Sequence, residues 1–376
     1  NFASAEGGGL WNGAGIMSIR DVMFTGNVAS GAGADQGGGA LYNLSGSMVV
    51  RVSTFEDNLA NGAAGSGGAI LNDAGASLDV DSCDFARNIS SRAGGAIEDN
   101  SGASTTVEIA NSTFSDNETG NAPGNGGAIH ITGPGPMNIS SSTFEGNIAA
   151  REGGAIWNGS GLMVITEIQA IGNFANGQEE HDGGGAVFNN GGILSLNNST
   201  LALNSAANVL GTGGGLHNNG GDVDINLSTI SGNTSSNYGA AIYNNGEMSL
   251  TSTTVTNNSS LNTGGGIAQT DASSSVQIRN SIVADNTSIN ANPDIEITGG
   301  TIVSGGYNLV GIDANTSITA AAGDSIGTSS MPVDPMLNGL TDNGGPTFTH
   351  LPACGSPALE TGDPALTGDD QRGLFA

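Results

Sequence analysis

Phe24, Phe55, Phe85, Phe114 and Phe144 are each followed three residues later by Asn. The apolar-x-x-Asn pairing continues at Ala170/Asn173, Leu201/Asn204, Ile230/Asn233, Val255/Asn258 and Val283/Asn286, at intervals of 25–31 residues. Seven and five positions before each anchor stand two apolar residues with one variable residue between them, as in Met48/Val50, Val107/Ile109 and Leu194/Leu196. That alternation is the period of a strand with one buried face. Five positions after each anchor comes a small residue, such as Ala60, Ser90, Ala149 or Ser235.

A second block precedes each strand: "GGAL" at 38–41, "GGAI" at 67–70, 94–97, 126–129 and 153–156, and "GGAV" at 184–187 are typical. Paired glycines supply the positive φ and close backbone approach of a tight corner. Short strands alternating with such corners at this period predict an all-β fold, a right-handed parallel β-helix of about 10–12 coils. Coils stack ~4.8 Å apart, so each column becomes a ladder of like residues. The Asn column is then expected to face inward, each side-chain amide bonding the next. The repeats occupy 1–286, and 287–376 form a less regular C-terminal module that continues or caps the solenoid.

Composition agrees with a thin, repetitive core: 64 of 376 residues are Gly and only 4% are aromatic. The chain carries 35 acidic residues against 7 basic ones, all Arg, for a net charge of −28. Such a surface repels phosphate backbones, which excludes nucleic acid as a partner. No apolar run approaches the ~18–20 residues that cross a bilayer as a helix.

The in-register pairing of "GGAI" with "F-x-x-N" over residues 1–290 resembles the repeat of chlamydial polymorphic outer-membrane proteins and related bacterial β-helix proteins. The tail segments "NPDI" 292–295, "YNLVG" 307–311, "DNGGPTFTH" 342–350, "GSPALETG" 355–362 and "DQRG" 370–373 are similar to the C-terminal module of the choice-of-anchor Q group. The resemblance implies a secreted bacterial protein held at the cell surface, and it implies no reaction.

Parallel β-helices also carry polysaccharide lyases and hydrolases, so an enzyme or glycan-binding module is the rival expectation. A lyase needs cationic groups to neutralise a uronate, and seven scattered Arg supply them poorly. The densest polar cluster, "EEHD" at 179–182, falls in an insertion and reads as a solvated loop tip. Asp79 and Asp81 share the outer face of one strand. Their oxygen ligands suit Ca²⁺, although a solvated strand face is the better reading. Otherwise no catalytic, cofactor or metal residue is expected. Cys83 falls in a column otherwise filled by Ser53, Ser112 and Ser142, several coils from Cys354, so the two cannot pair. Of the Asn-x-Ser/Thr sequons, Asn43, Asn138, Asn158 and Asn226 stand outside the ladder column and are the better-placed acceptors.

The residue after each corner aliphatic should point outward. This column includes Trp11, Tyr42, Trp157, Phe188 and Tyr243, a candidate ridge for glycan or for a second copy, unless loops fold over it. The opening "NFASAEGGGL" aligns with "NIAAREGGAI" at 147–156, so the chain starts inside a repeat. Either a longer β-helix or another molecule is expected to cover that end. In the second case, head-to-tail stacking of copies gives a filament. The expected function is structural or adhesive, without catalysis.

Overall fold

The computed structural model describes residues 1–374 except 122, 207, 291 and 314–317. It is a parallel β-solenoid of about eleven turns, with no helix among the described residues. Each coil contributes four short strands, in the first coil Phe2–Ala3, Leu10–Asn12, Ile16–Arg20 and Met23–Thr25. Every strand pairs in parallel with its counterpart one coil away, which builds three sheets of 11 strands and a fourth of 12. We number the sheets in the order one coil visits them.

Register places like on like. Phe24 lies over Phe55, Phe55 over Phe85, and so on to Phe144. The five rings stack with centroids 4.6–4.9 Å apart and planes within 9° of parallel. The inward residues of all four sheets form one core cluster running from Ile19 and Phe24 to Val310 and Ile318. The Gly-Gly corner before the second sheet admits no side chain. At Gly67 (φ +63°) a Cβ would lie 2.1 Å from the Ile70 carbonyl oxygen, and at Gly68 it would lie 2.0 Å from that of Gly95 in the next coil. Two further corners in each coil are held in the left-handed region largely by other residues, such as Ser82 (φ 57°) and Arg87 (φ 54°).

The Asn column faces inward. From Asn58 to Asn258 each ladder Asn donates side-chain N–H bonds to the amide oxygen of the next Asn and to a carbonyl of the previous coil. Asn147, for example, bonds Asn173 Oδ1 and the Phe114 carbonyl, both at 2.9 Å. Its own Oδ1 accepts from the Asn117 amide (2.9 Å) and backbone N–H (3.0 Å). Every polar atom is therefore paired, which is what allows an amide to sit in the core at 0% exposure.

A second amide ladder follows the corner aliphatics. Asn12 donates to Asn43, Asn43 to Asn72, and Asn72 to Asp99 at 2.7 Å. Ile131 interrupts it, and it resumes from Asn158 through Asn189, Asn218 and Asn244 to Gln269. Asn43 and Asn158 are fully buried in this ladder, which corrects their reading as accessible sequons; Asn138 and Asn226 remain partly exposed. Ser53, Ser112, Ser142, Ser199 and Ser228 form a third column whose hydroxyls accept backbone N–H bonds from the preceding coil.

The coil register runs past residue 286, through strands Ile295–Ile297, Thr301–Ser304 and Leu309–Val310. Ser325–Ile326 then adds one strand to the fourth sheet, and Ile318 and Ile326 pack on the end of the core. From there the chain runs back along the outer face of the fourth sheet as far as Thr200.

Candidate functional site

The proposed ridge is not a surface. Only Trp11 is open, at 50% exposure, whereas Tyr42, Trp157, Phe188 and Tyr243 lie between 1% and 9%. The side chains do leave the sheet on its outer face, but the loops between ladder Asn and Gly-Gly corner close over them. Those loops bond one another along the axis: Ser66 N–H to Gln36, Arg92 to Gly65, Gly124 to Arg92, Arg151 to Gly124 and Gly177 to Arg151. Stacked in this way they make a continuous flap, and the column beneath is a second interior.

Most polar tips under the flap find a partner, as burial demands, although His217 Nε2 has none. Tyr42 OH donates to Asp73 at 2.9 Å, and burial together with that carboxylate pushes the phenol pKa well up. Trp157 Nε1–H donates to Glu152 at 3.0 Å, and the Trp157 ring stacks on His130 with centroids 4.2 Å apart. His130 pairs with the buried Glu98 at 2.7 Å. Burial lowers the His217 pKa to about 3, so this ring is neutral, with Nδ1 against Thr212 Oγ1 at 2.9 Å.

The other expected positions fall as follows. Glu179, Glu180 and His181 are exposed, but Asp182 is buried, accepting from Glu179 N–H at 2.8 Å and from Arg151 at 2.8 Å. The aspartate therefore ties the loop down. Asp79 and Asp81 flank the Arg51 guanidinium, which offsets one of their two charges. Among the described residues no three His, Cys, Asp or Glu are grouped to hold a metal. Cys83 is buried in the serine column and Cys354 is exposed, both as free thiols.

What the sequence reading missed is a cleft. The tail segments "DNGGPTFTH", "GSPALETG" and "DQRG" converge on the outer face of the fourth sheet, which "YNLVG" extends with the strand Leu309–Val310, and enclose about 640 Å³ against it. Gln371 is the anchor: its amide donates to the Ser199 carbonyl (3.1 Å) and Thr347 Oγ1 (2.9 Å), and its oxygen accepts from Thr229 (2.7 Å). His350 sits between Ser231 Oγ (2.9 Å) and the Asn338 carbonyl (2.6 Å), and burial holds its pKa below the ordinary value. Asp370 accepts from Arg372 Nε and backbone N–H, both at 2.8 Å, and from Leu374 N–H at 3.2 Å. Although burial works the other way, these donors hold its pKa down. Arg279 pairs with Asp363 farther along. Gln371, His350 and the Arg279–Asp363 pair thus fasten the tail to the solenoid, while Asp370 and Arg372 brace each other within it.

The Chlamydia polymorphic membrane protein (Chlamydia_PMP) repeat matches residues 141–159. This stretch contains both repeat signatures: Phe144, the last ring of the stack, with Asn147 of the first ladder, then the Gly153–Gly154 corner with Trp157 of the covered column and Asn158 of the second ladder. No curated protein and no solved structure matches the chain. No helix among the described residues is long and apolar enough to cross a membrane.

Proposed function

We propose that the protein is a bacterial cell-surface β-solenoid with a structural or adhesive role and no catalysis. The observation that carries this reading is the uninterrupted amide ladder from Asn1 to Asn286 beside a single core cluster, which makes the chain a stiff rod held by one repeating contact. The match of residues 141–159 to a repeat named for polymorphic membrane proteins supports the placement. The net charge of −28 keeps such a rod soluble.

Protease treatment of intact source cells tests the placement: the chain should be cleaved without lysis, and protection until lysis would overturn it. Incubation of the purified chain with acidic and neutral polysaccharides tests the absence of catalysis. Turnover that disappears on altering "EEHD" at 179–182 would favour the polysaccharide-acting alternative. Head-to-tail self-association is the partner class included in the proposal, and electron microscopy of native material, showing fibres or dispersed rods, decides it.

A further inference from the structure

The cleft under the tail, about 640 Å³, falls within the ~300–1,000 Å³ of small-ligand sites. Leu227, Ile282 and Leu309 on the solenoid and Leu351 and Leu366 on the tail give it apolar surface. Six polar side chains face the same space: Thr251 and Thr254 on the floor, Tyr307 and Ser325 at one end, and Thr367 and Asp369 on the tail. None of the six makes a side-chain hydrogen bond among the described residues, whereas His350, Asp370, Gln371 and Arg372 around them are all engaged.

The unused groups are therefore five hydroxyls and one carboxylate, with no unpaired cation. An anionic ligand would meet Asp369 and a strongly negative molecule, and would be repelled. An extended peptide would find no strand edge, because the fourth-sheet strands under the cleft are hydrogen-bonded on both sides. A neutral sugar offers what remains: uncharged hydroxyls for the Thr and Asp369 side chains, and C–H faces for the leucines and the Tyr307 ring.

We propose that this cleft binds a short neutral oligosaccharide. The proposal deepens the adhesive reading above and rests on it only for the source of the sugar, since binding is measured on the purified chain and surface placement on cells.

Calorimetric titration with neutral gluco-, galacto- and manno-oligosaccharides, beside matched uronate-containing oligomers, tests it. At least one neutral oligomer should bind and the uronates should not. Thr254→Val keeps the shape and removes one hydroxyl, and Asp369→Asn alters an exposed group; each should weaken binding about fivefold or more at an unchanged melting temperature. If Thr254→Val fails to fold, the exposed Asp369→Asn still decides. The proposal is overturned if no neutral oligomer binds, if uronates bind as well, or if folded variants bind like the parent.

Discussion

Asn286 donates its side-chain amide to Asp294 Oδ1 at 2.9 Å and its backbone N–H to the same oxygen at 3.0 Å. The other Asp294 oxygen accepts from Ile312 N–H at 2.7 Å. Asp294 stands where the small corner residue Gly266 stands one coil earlier, and from there it reaches the end of the Asn ladder. All the ladder amides point the same way, donating toward the C-terminal end, so the last one needs an acceptor beyond the Asn column. Asp99 does the same for the first run of the second ladder, taking the Asn72 amide at 2.7 Å. Where that ladder resumes, the Asn158 oxygen is left without a donor, as this polarity requires.

Both terminators should make stability depend on pH. Burial is the largest influence on Asp99 and Asp294 and raises each pKa from 3.8 to about 6, against the opposing hydrogen bonds. The folded chain therefore holds these protons more tightly than the unfolded chain. Their stabilising contribution is complete below pH ~4 and is lost as pH rises through ~6, on the order of 2–3 kcal/mol each. Thermal melts from pH 4 to 7 should show Asp294→Asn with a smaller pH slope than the parent. An unchanged slope would mean that Asp294 does not titrate there.

Asn147→Leu should cost about 3 kcal/mol or more although it adds apolar volume. The substitution leaves the Asn117 backbone N–H and one Asn117 amide N–H without their partners and takes one donor from the Phe114 carbonyl, at ~1–3 kcal/mol for each unpaired group. Denaturant titration measures the loss; equal or greater stability than the parent would show that the column does not depend on continuous pairing.

Much of this architecture was legible because each core residue touches its own copy one coil away, so the sequence period and the contact period coincide. Phe24 to Phe144 and the first Asn ladder show it. The second ladder was written just as plainly in Asn12, Asn43, Asn72, Asn158 and Asn189, but Asp99, Ile131 and Gln269 break its column. Burial of Tyr42 and Trp157 was not legible, because it depends on loops of unequal length bonding one another. The tail was hidden for a different reason: Gln371 meets Ser199 and Thr200 across 172 and 171 residues, and no repeat encodes a single contact of that span.

The tail should be separable from the rod. Gln371→Ala removes the bonds to Ser199, Thr229 and Thr347, with no compensating contact available to Ala. Amide exchange and protease sensitivity across 336–374 should rise, while exchange in the strands of coils up to Thr166 stays at the parent level. Loosening of the whole solenoid would instead make the tail part of its cooperative unit.

Ladder polarity has its sharpest test at the gap. Ile131→Asn alone can donate to the orphaned Asn158 oxygen, but it turns its own oxygen toward the Asp99 carboxylate, acceptor against acceptor, and gives up a buried Ile. It should destabilise by ~2 kcal/mol or more. Asp99→Asn alone supplies an amide donor that faces Ile131 and finds no acceptor there. Together the two changes let the amides run unbroken from Asn12 to Gln269. Each single variant should therefore be worse than additivity allows, with a favourable coupling of ~1–2 kcal/mol in the double variant. Unfolding of all four proteins at pH 7 completes the cycle. Additive effects would mean that the direction of the amides is an accident of side-chain placement and not what decides where Asp, Asn and Ile stand in this column.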